Sequence, residues 1–121
     1  MSEESEQIAL FKWAKLQECM YPALRLLYHI PNGGKRSKVT AAHMKAAGVK
    51  SGVPDVCLPV PCGKWHGLYI EMKAGKNKPT PAQIEWLVDL GAMGYKTAVC
   101  YSMEAAREEI LKYINERFFK H

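Results

Sequence analysis

The stretch Ser51–Lys73, SGVPDVCLPVPCGKWHGLYIEMK, decides how this chain folds. Gly52-Val53-Pro54 is a loop signal that delivers Asp55 to the start of a strand over Asp55–Val60. Pro61-Cys62-Gly63-Lys64 then reads as a turn, and Trp65–Lys73 as the partner strand. Side chains alternate between the two faces of a strand, so Glu71 and Lys73 project together while Met72 points away. If the strands pair around the turn, Asp55 approaches Glu71. Two carboxylates and an amine then meet at one point. Such a trio suits a divalent metal held against a phosphate.

Working outward toward the N-terminus, Ser5 to Met20 has helical spacing, with Leu10, Trp13, Ala14 and Gln17 on one face and Ile8 and Phe11 beside it. Tyr21-Pro22 stops this helix, because the residue before a proline is pushed out of the α region. Leu24–Ile30 is strand-like, and Pro31-Asn32-Gly33-Gly34 is a turn or loop. Lys35 to Val49 reads as a loop running into a short basic helix around Thr40–Ala47, ended by Gly48.

On the other side, Thr80 can cap a helix, Pro81 suits its first position, and Gln83 completes a Thr-x-x-Gln capping box. Ile84, Leu87, Val88 and Leu90 are expected to form its apolar face, with Gly91 or Gly94 ending it. Tyr95–Tyr101 is a further strand, and Thr97-Ala98-Val99-Cys100 is apolar enough to be central. The last helix runs from about Met103 to Phe118, with Ala106, Ile110, Tyr113 and Ile114 on one side. The order is α-β-α-β-β-α-β-α. It predicts an α/β fold, a mixed sheet flanked by helices, with a central hairpin and a crossover to the last strand.

The 121 residues, 48% of them hydrophobic, fit a single domain over 1–121 with an ordinary core. Lys and Arg number 17 against 12 Asp and Glu, a net charge of +5. That balance favours an anionic partner, although a basic surface kept for solubility gives the same count. No apolar run approaches the ~20 residues that cross a bilayer. The start, Met1-Ser2-Glu3-Glu4-Ser5-Glu6, is acidic and does not read as a signal peptide. Cys19, Cys57, Cys62 and Cys100 form no paired motif and read as reduced thiols, which places the chain in the cytoplasm. Cys57, Cys62 and His66 could be drawn as zinc ligands. No fourth partner has a useful spacing, and Cys57 falls inside an apolar strand.

A phosphodiester resists hydrolysis because its charge repels nucleophiles and water attacks poorly at neutral pH. Mg²⁺ or Mn²⁺ offsets both, and such hard cations want oxygen ligands. Asp55 and Glu71 supply them, and the backbone carbonyl of Met72 could add another. Lys73 could orient or deprotonate water, or stabilise the phosphate. The competing reading of Glu71 and Lys73 is a solvated strand face. Glu6 is a third acid, on the Leu10–Trp13 face of the first helix, favoured there by the dipole or recruited into a site. Glu3 and Glu4 read as solvated charges. Gln83 is either a capping residue alone or a polar group near Glu71. Lys35, Arg36, Lys38, Lys45 and Lys50 precede the acidic centre, and Lys76 and Lys78 follow it, which suits a polyanionic duplex. His29 reads as structural.

The order of these motifs resembles the PD-(D/E)xK nuclease superfamily, and the finer text is similar to its VRR-NUC branch in the compact stand-alone form of phages and bacteria. Glu6-Gln7, His29–Gly34, Gly48–Asp55, Gly67–Lys73 and Thr80-Pro81-x-Gln83 carry the likeness across nearly the whole chain. The resemblance implies a restriction-endonuclease-like fold. It also implies that Asp55, Glu71 and Glu6 bind Mg²⁺ or Mn²⁺, that Lys73 is the catalytic lysine, and that Gln83 is the family's helical glutamine. Stand-alone members are similar to homodimeric endonucleases that cut branched DNA, including four-way Holliday junctions, and a dyad suits a two-fold junction. The expected function is thus a metal-dependent structure-specific DNA endonuclease, in the host's cytoplasm if the chain is phage-encoded. The rivals are a nicking nuclease or exonuclease without junction preference, and a non-catalytic basic DNA-binding module.

Overall fold

Ser2 opens the first helix. Its hydroxyl accepts the Ser5 N–H while the Ser5 side chain returns the bond, a reciprocal cap that starts α1 (Glu3–Gln17) two residues before the expected Ser5. The computed structural model describes residues 2–31 and 37–119, with the backbone alone for 116–119. Lys35, Arg36 and Asn32-Gly33-Gly34 lie outside the described residues.

Pro22 does more than stop a helix. Its fixed φ suits the first position of a helical turn, so Pro22–Leu26 forms a 3₁₀ helix where a strand from Leu24 is expected. Of the expected strand, Tyr28–His29 alone pairs into the sheet, as β1. The short basic helix is α2 (Lys38–Ala46), capped by Ser37 and without a buried residue. Then follow β2 (Val56–Leu58), β3 (Leu68–Met72), α3 (Pro81–Ala92), β4 (Lys96–Cys100) and α4 (Met103–Phe119).

The four strands lie in the order β1-β2-β3-β4. β1, β2 and β3 are antiparallel neighbours, and β4 runs parallel to β3 after the α3 crossover. The mixed sheet and its helix order are those the sequence predicts. The position of β4 is not: this strand is an edge, and its residues before Cys100 are only partly buried. A strand reached by a crossover helix can stop at the margin, and here Cys100 alone of the strand is buried in the core, with Ala98 packed against it. The α3 face differs too, because Ile84 and Val88 are exposed.

The core sits on one face of the sheet. Val56 and Leu58 of β2 and Leu68, Ile70 and Met72 of β3 meet Leu10 and Ala14 of α1 and Ala106, Ile110, Tyr113 and Ile114 of α4. The Tyr113 hydroxyl donates to the Val60 carbonyl at 2.6 Å and fixes α4 on the chain after β2. Between β2 and β3 the expected turn is present: Cys62 and Trp65 exchange backbone hydrogen bonds, with Gly63 at φ +56°. Among the described residues no helix is long and apolar enough to cross a membrane.

Candidate active site

The β2–β3 register assembles the acids. Val56 is opposite Ile70, so Asp55, one residue earlier, falls opposite Glu71, one residue later. Val56 and Ile70 fill the core, and alternation therefore turns both acids to the other face of the sheet.

Asp55 is held at both ends. Its carbonyl accepts the Ile30 N–H at 2.7 Å and the His29 Nδ1–H at 2.8 Å. A carbonyl only accepts, so that contact assigns the proton to Nδ1 of the imidazole. The Asp55 Oδ2 accepts the Met72 N–H at 2.8 Å. The loop before Asp55 is clamped to α3. Gly52 has φ +88°, and a Cβ there would lie 2.8 Å from the Ala82 carbonyl carbon, so only glycine permits this approach. Trp86 Nε1–H donates to the Ser51 carbonyl at 3.1 Å and closes the same seam.

Glu71 is 1% exposed. Its Oε2 accepts the Gln83 Nε2–H at 3.2 Å, whereas Oε1 is buried with no hydrogen-bond partner among the described residues. Burial pushes its pKa up to about 8; the facing Asp55 carboxylate adds to the rise, the Lys73 ammonium opposes it, and the Glu3 charge adds a smaller push. A buried carboxylate with an orphaned oxygen is costly unless protonated or met by a cation. Asp55 and Glu71 are hard oxygen donors facing one another, and this fits Mg²⁺ or Mn²⁺, with the Met72 carbonyl on the adjoining backbone.

Lys73 follows β3 and is itself buried at 6% exposure. Its N–H donates to the Cys100 carbonyl at 2.9 Å, which fixes the backbone of this residue on β4. The solvated-face reading of Glu71 and Lys73 is excluded by their burial. Gln83 combines the two roles that the sequence leaves open. Its Oε1 accepts the Thr80 N–H at 2.9 Å in the capping box, while its Nε2 reaches Glu71.

Glu6 departs from expectation. It is buried, but its Oε1 accepts the Met103 N–H at 2.7 Å and so caps α4. Among the described residues no three of His, Cys, Asp and Glu are grouped so as to share a metal, and the Glu6 carboxylate is engaged at the start of α4. The first turn of a helix offers unpaired amides and a positive dipole end, and these hold the carboxylate. The α1 acid whose field reaches Glu71 is Glu3, expected to be merely solvated. Its i, i+3 spacing from Glu6 is the signal that could have found it.

Lys38, Lys45, Lys50, Lys76 and Lys78 are all exposed, the first two on α2 and the others on loops beside the Asp55 and Glu71 segments. Trp86 has no sequence signal apart from its place on the α3 helix. Cys57 and Cys100 are buried free thiols whose pKa is raised by burial, Cys100 to about 12, so neither is a ready nucleophile.

The family model of the VRR-NUC domain matches residues 1–104. The chain belongs to the VRR-NUC domain family. A solved structure of a VRR_NUC domain protein superposes with a TM-score of 0.82 at 31% sequence identity, covering 96% of this chain and 90% of that one. No curated protein matches. The VRR-NUC fold is thus carried by nearly the whole chain, and membership makes it a nuclease-type DNA-processing domain.

Proposed function

We propose that this VRR-NUC domain is a Mg²⁺- or Mn²⁺-dependent DNA endonuclease that hydrolyses phosphodiester bonds in branched DNA, four-way junctions included, as a homodimer. The observation that carries the reading is the opposition of Asp55 and Glu71 across β2–β3, with one Glu71 oxygen buried and unpartnered among the described residues.

Each residue has a physical task. Asp55 and Glu71 hold the cation, and Gln83 keeps the Glu71 carboxylate turned toward it. When bound, the cation supplies charge neutralisation at the phosphate and acidifies water. Lys73, buried beside Glu71, orients the attacking water or stabilises the phosphate charge. Exposed lysines on α2 and the flanking loops draw the duplex in, which makes binding fall steeply with salt. A homodimer places two such sites about a dyad, the symmetry of a four-way junction.

A cleavage panel tests this. Labelled four-way junction, flap and linear duplex are incubated with purified protein over a titration of Mg²⁺ and Mn²⁺. Fastest cutting of the junction is expected, with none in EDTA. Equal rates on all three would replace junction specificity by general nicking. Sedimentation at micromolar concentration, alone and on junction DNA, reads the dimer; a monomer in both removes it.

A further inference from the structure

A second row of side chains lies on the same sheet face as the acids. The register sets Tyr28 opposite Cys57, and Cys57 opposite Tyr69. Alternation places this row two residues along each strand from Asp55 and Glu71, about 6.6 Å away. Tyr95 extends it, standing edge-on to Tyr69 at 5.3 Å between centroids, and His66 stands edge-on to Tyr95 at 5.8 Å.

The row is not core. The helices α1 and α4 cover the opposite face, while Tyr28 is 47% exposed and Tyr69 and Tyr95 are partly exposed. Between them lies the buried Cys57, opposite Tyr28 on one side and Tyr69 on the other. The result is a shelf of aromatic surface, open at Tyr28, one row from the place where a phosphate would meet the acids.

We propose that this tyrosine row is a stacking platform for an unpaired nucleobase adjoining the cleaved phosphate. The substrate of the Asp55–Glu71 site is then DNA that presents an unstacked nucleotide beside the cut. This inference rests on the nuclease reading above and narrows its substrate class. Every base has a π-face that a phenol can stack on, so the platform selects for an unpaired state without selecting sequence. A continuous duplex hides those faces within its own stack; branch points, flaps and gaps expose them.

The test uses the full chain with Tyr28→Ala and Tyr28→Phe, on an edge strand at a half-exposed position where neither should unfold the protein. Circular dichroism checks the fold. Two DNAs share one sequence, one fully paired and one with unpaired nucleotides at the mapped cut, and 2-aminopurine is scanned through the unpaired positions. On binding, wild type and Tyr28→Phe should quench 2-aminopurine at one position, and Tyr28→Ala should not. For cleavage, Tyr28→Ala should raise KM on the unpaired substrate about tenfold with kcat unchanged, and leave the duplex unaffected. Unchanged quenching in Tyr28→Ala, or equal losses on both DNAs, would overturn the platform. Quenching is read at equilibrium in Ca²⁺, so it stands even if no DNA is cut, an outcome that would sink the nuclease reading instead.

Discussion

Asp55 Oδ2 accepts the backbone N–H of Met72 at 2.8 Å, so the first acid is tied to the peptide that follows the second. The carboxylate thereby serves the fold and, in the proposed reaction, the cation. Substitution separates the two. Asp55→Asn keeps an acceptor for the Met72 amide and should leave the thermal midpoint nearly unchanged, yet abolish cutting. Asp55→Ala leaves that amide unpaired and should also lose about 1–3 kcal/mol in denaturant unfolding. Full cutting by Asp55→Asn would remove the acid from the chemistry.

Glu71 couples stability to pH in the metal-free protein. Its folded pKa of about 8 stands above the ordinary 4.5. Between these values the folded chain keeps a proton that the unfolded chain has released, so stability is full below the lower value and falls as pH rises through the upper one. Scanning calorimetry should show a melting temperature that declines from about pH 5 to 8, a slope that Glu71→Gln abolishes. Adding Mg²⁺ or Mn²⁺ at pH 8 should raise the wild-type midpoint and leave Glu71→Gln unmoved.

Gln83 offers a cleaner separation, because its two ends do different work. Gln83→Glu retains the capping acceptor for the Thr80 amide but sets a second carboxylate against Glu71. Helix stability should hold, whereas the Glu71 pKa should rise further in metal-free protein. Gln83→Ala removes both bonds and should cost about 1 kcal/mol from the cap alone. Chemical-shift titration of the Glu71 carboxyl carbon reads the first effect, and denaturant unfolding the second.

The Gly52 seam tests whether the loop delivers Asp55. Gly52→Ala meets both a positive φ and the Ala82 backbone, and should destabilise by at least about 1–2 kcal/mol. Trp86→Phe keeps the ring but loses the bond to Ser51, a milder disturbance of the same loop. Cutting should fall more than stability in Trp86→Phe. Unchanged cutting would show that Asp55 is placed by His29, Ile30 and Met72 without the clamp.

The site was legible where chemistry and short-range geometry coincide. Alternation on β3 put Glu71 beside Lys73, and the hairpin brought Asp55 to them, because strand register is set by local pairing. The Thr80–Gln83 cap was equally local. The bond from the Met103 amide to Glu6 was not legible, because that partner is remote in sequence and no periodicity reports which helix end a carboxylate will find. The same limit hid β4 at the sheet edge: apolar content signals burial, but the crossover decides strand order. Tyr28 read as part of a longer strand, and only the pairing with Cys57 aligned it with Tyr69.

The most direct test is cleavage of a labelled four-way junction by wild type and Lys73→Ala, each with Mg²⁺, with Mn²⁺ and with EDTA. Wild type should cut with either metal and stop in EDTA. Lys73→Ala should bind the junction normally but cut about 10²–10⁴-fold more slowly. Undiminished cutting in EDTA, or equal turnover by Lys73→Ala, would contradict a metal-dependent nuclease built on Asp55, Glu71 and Lys73.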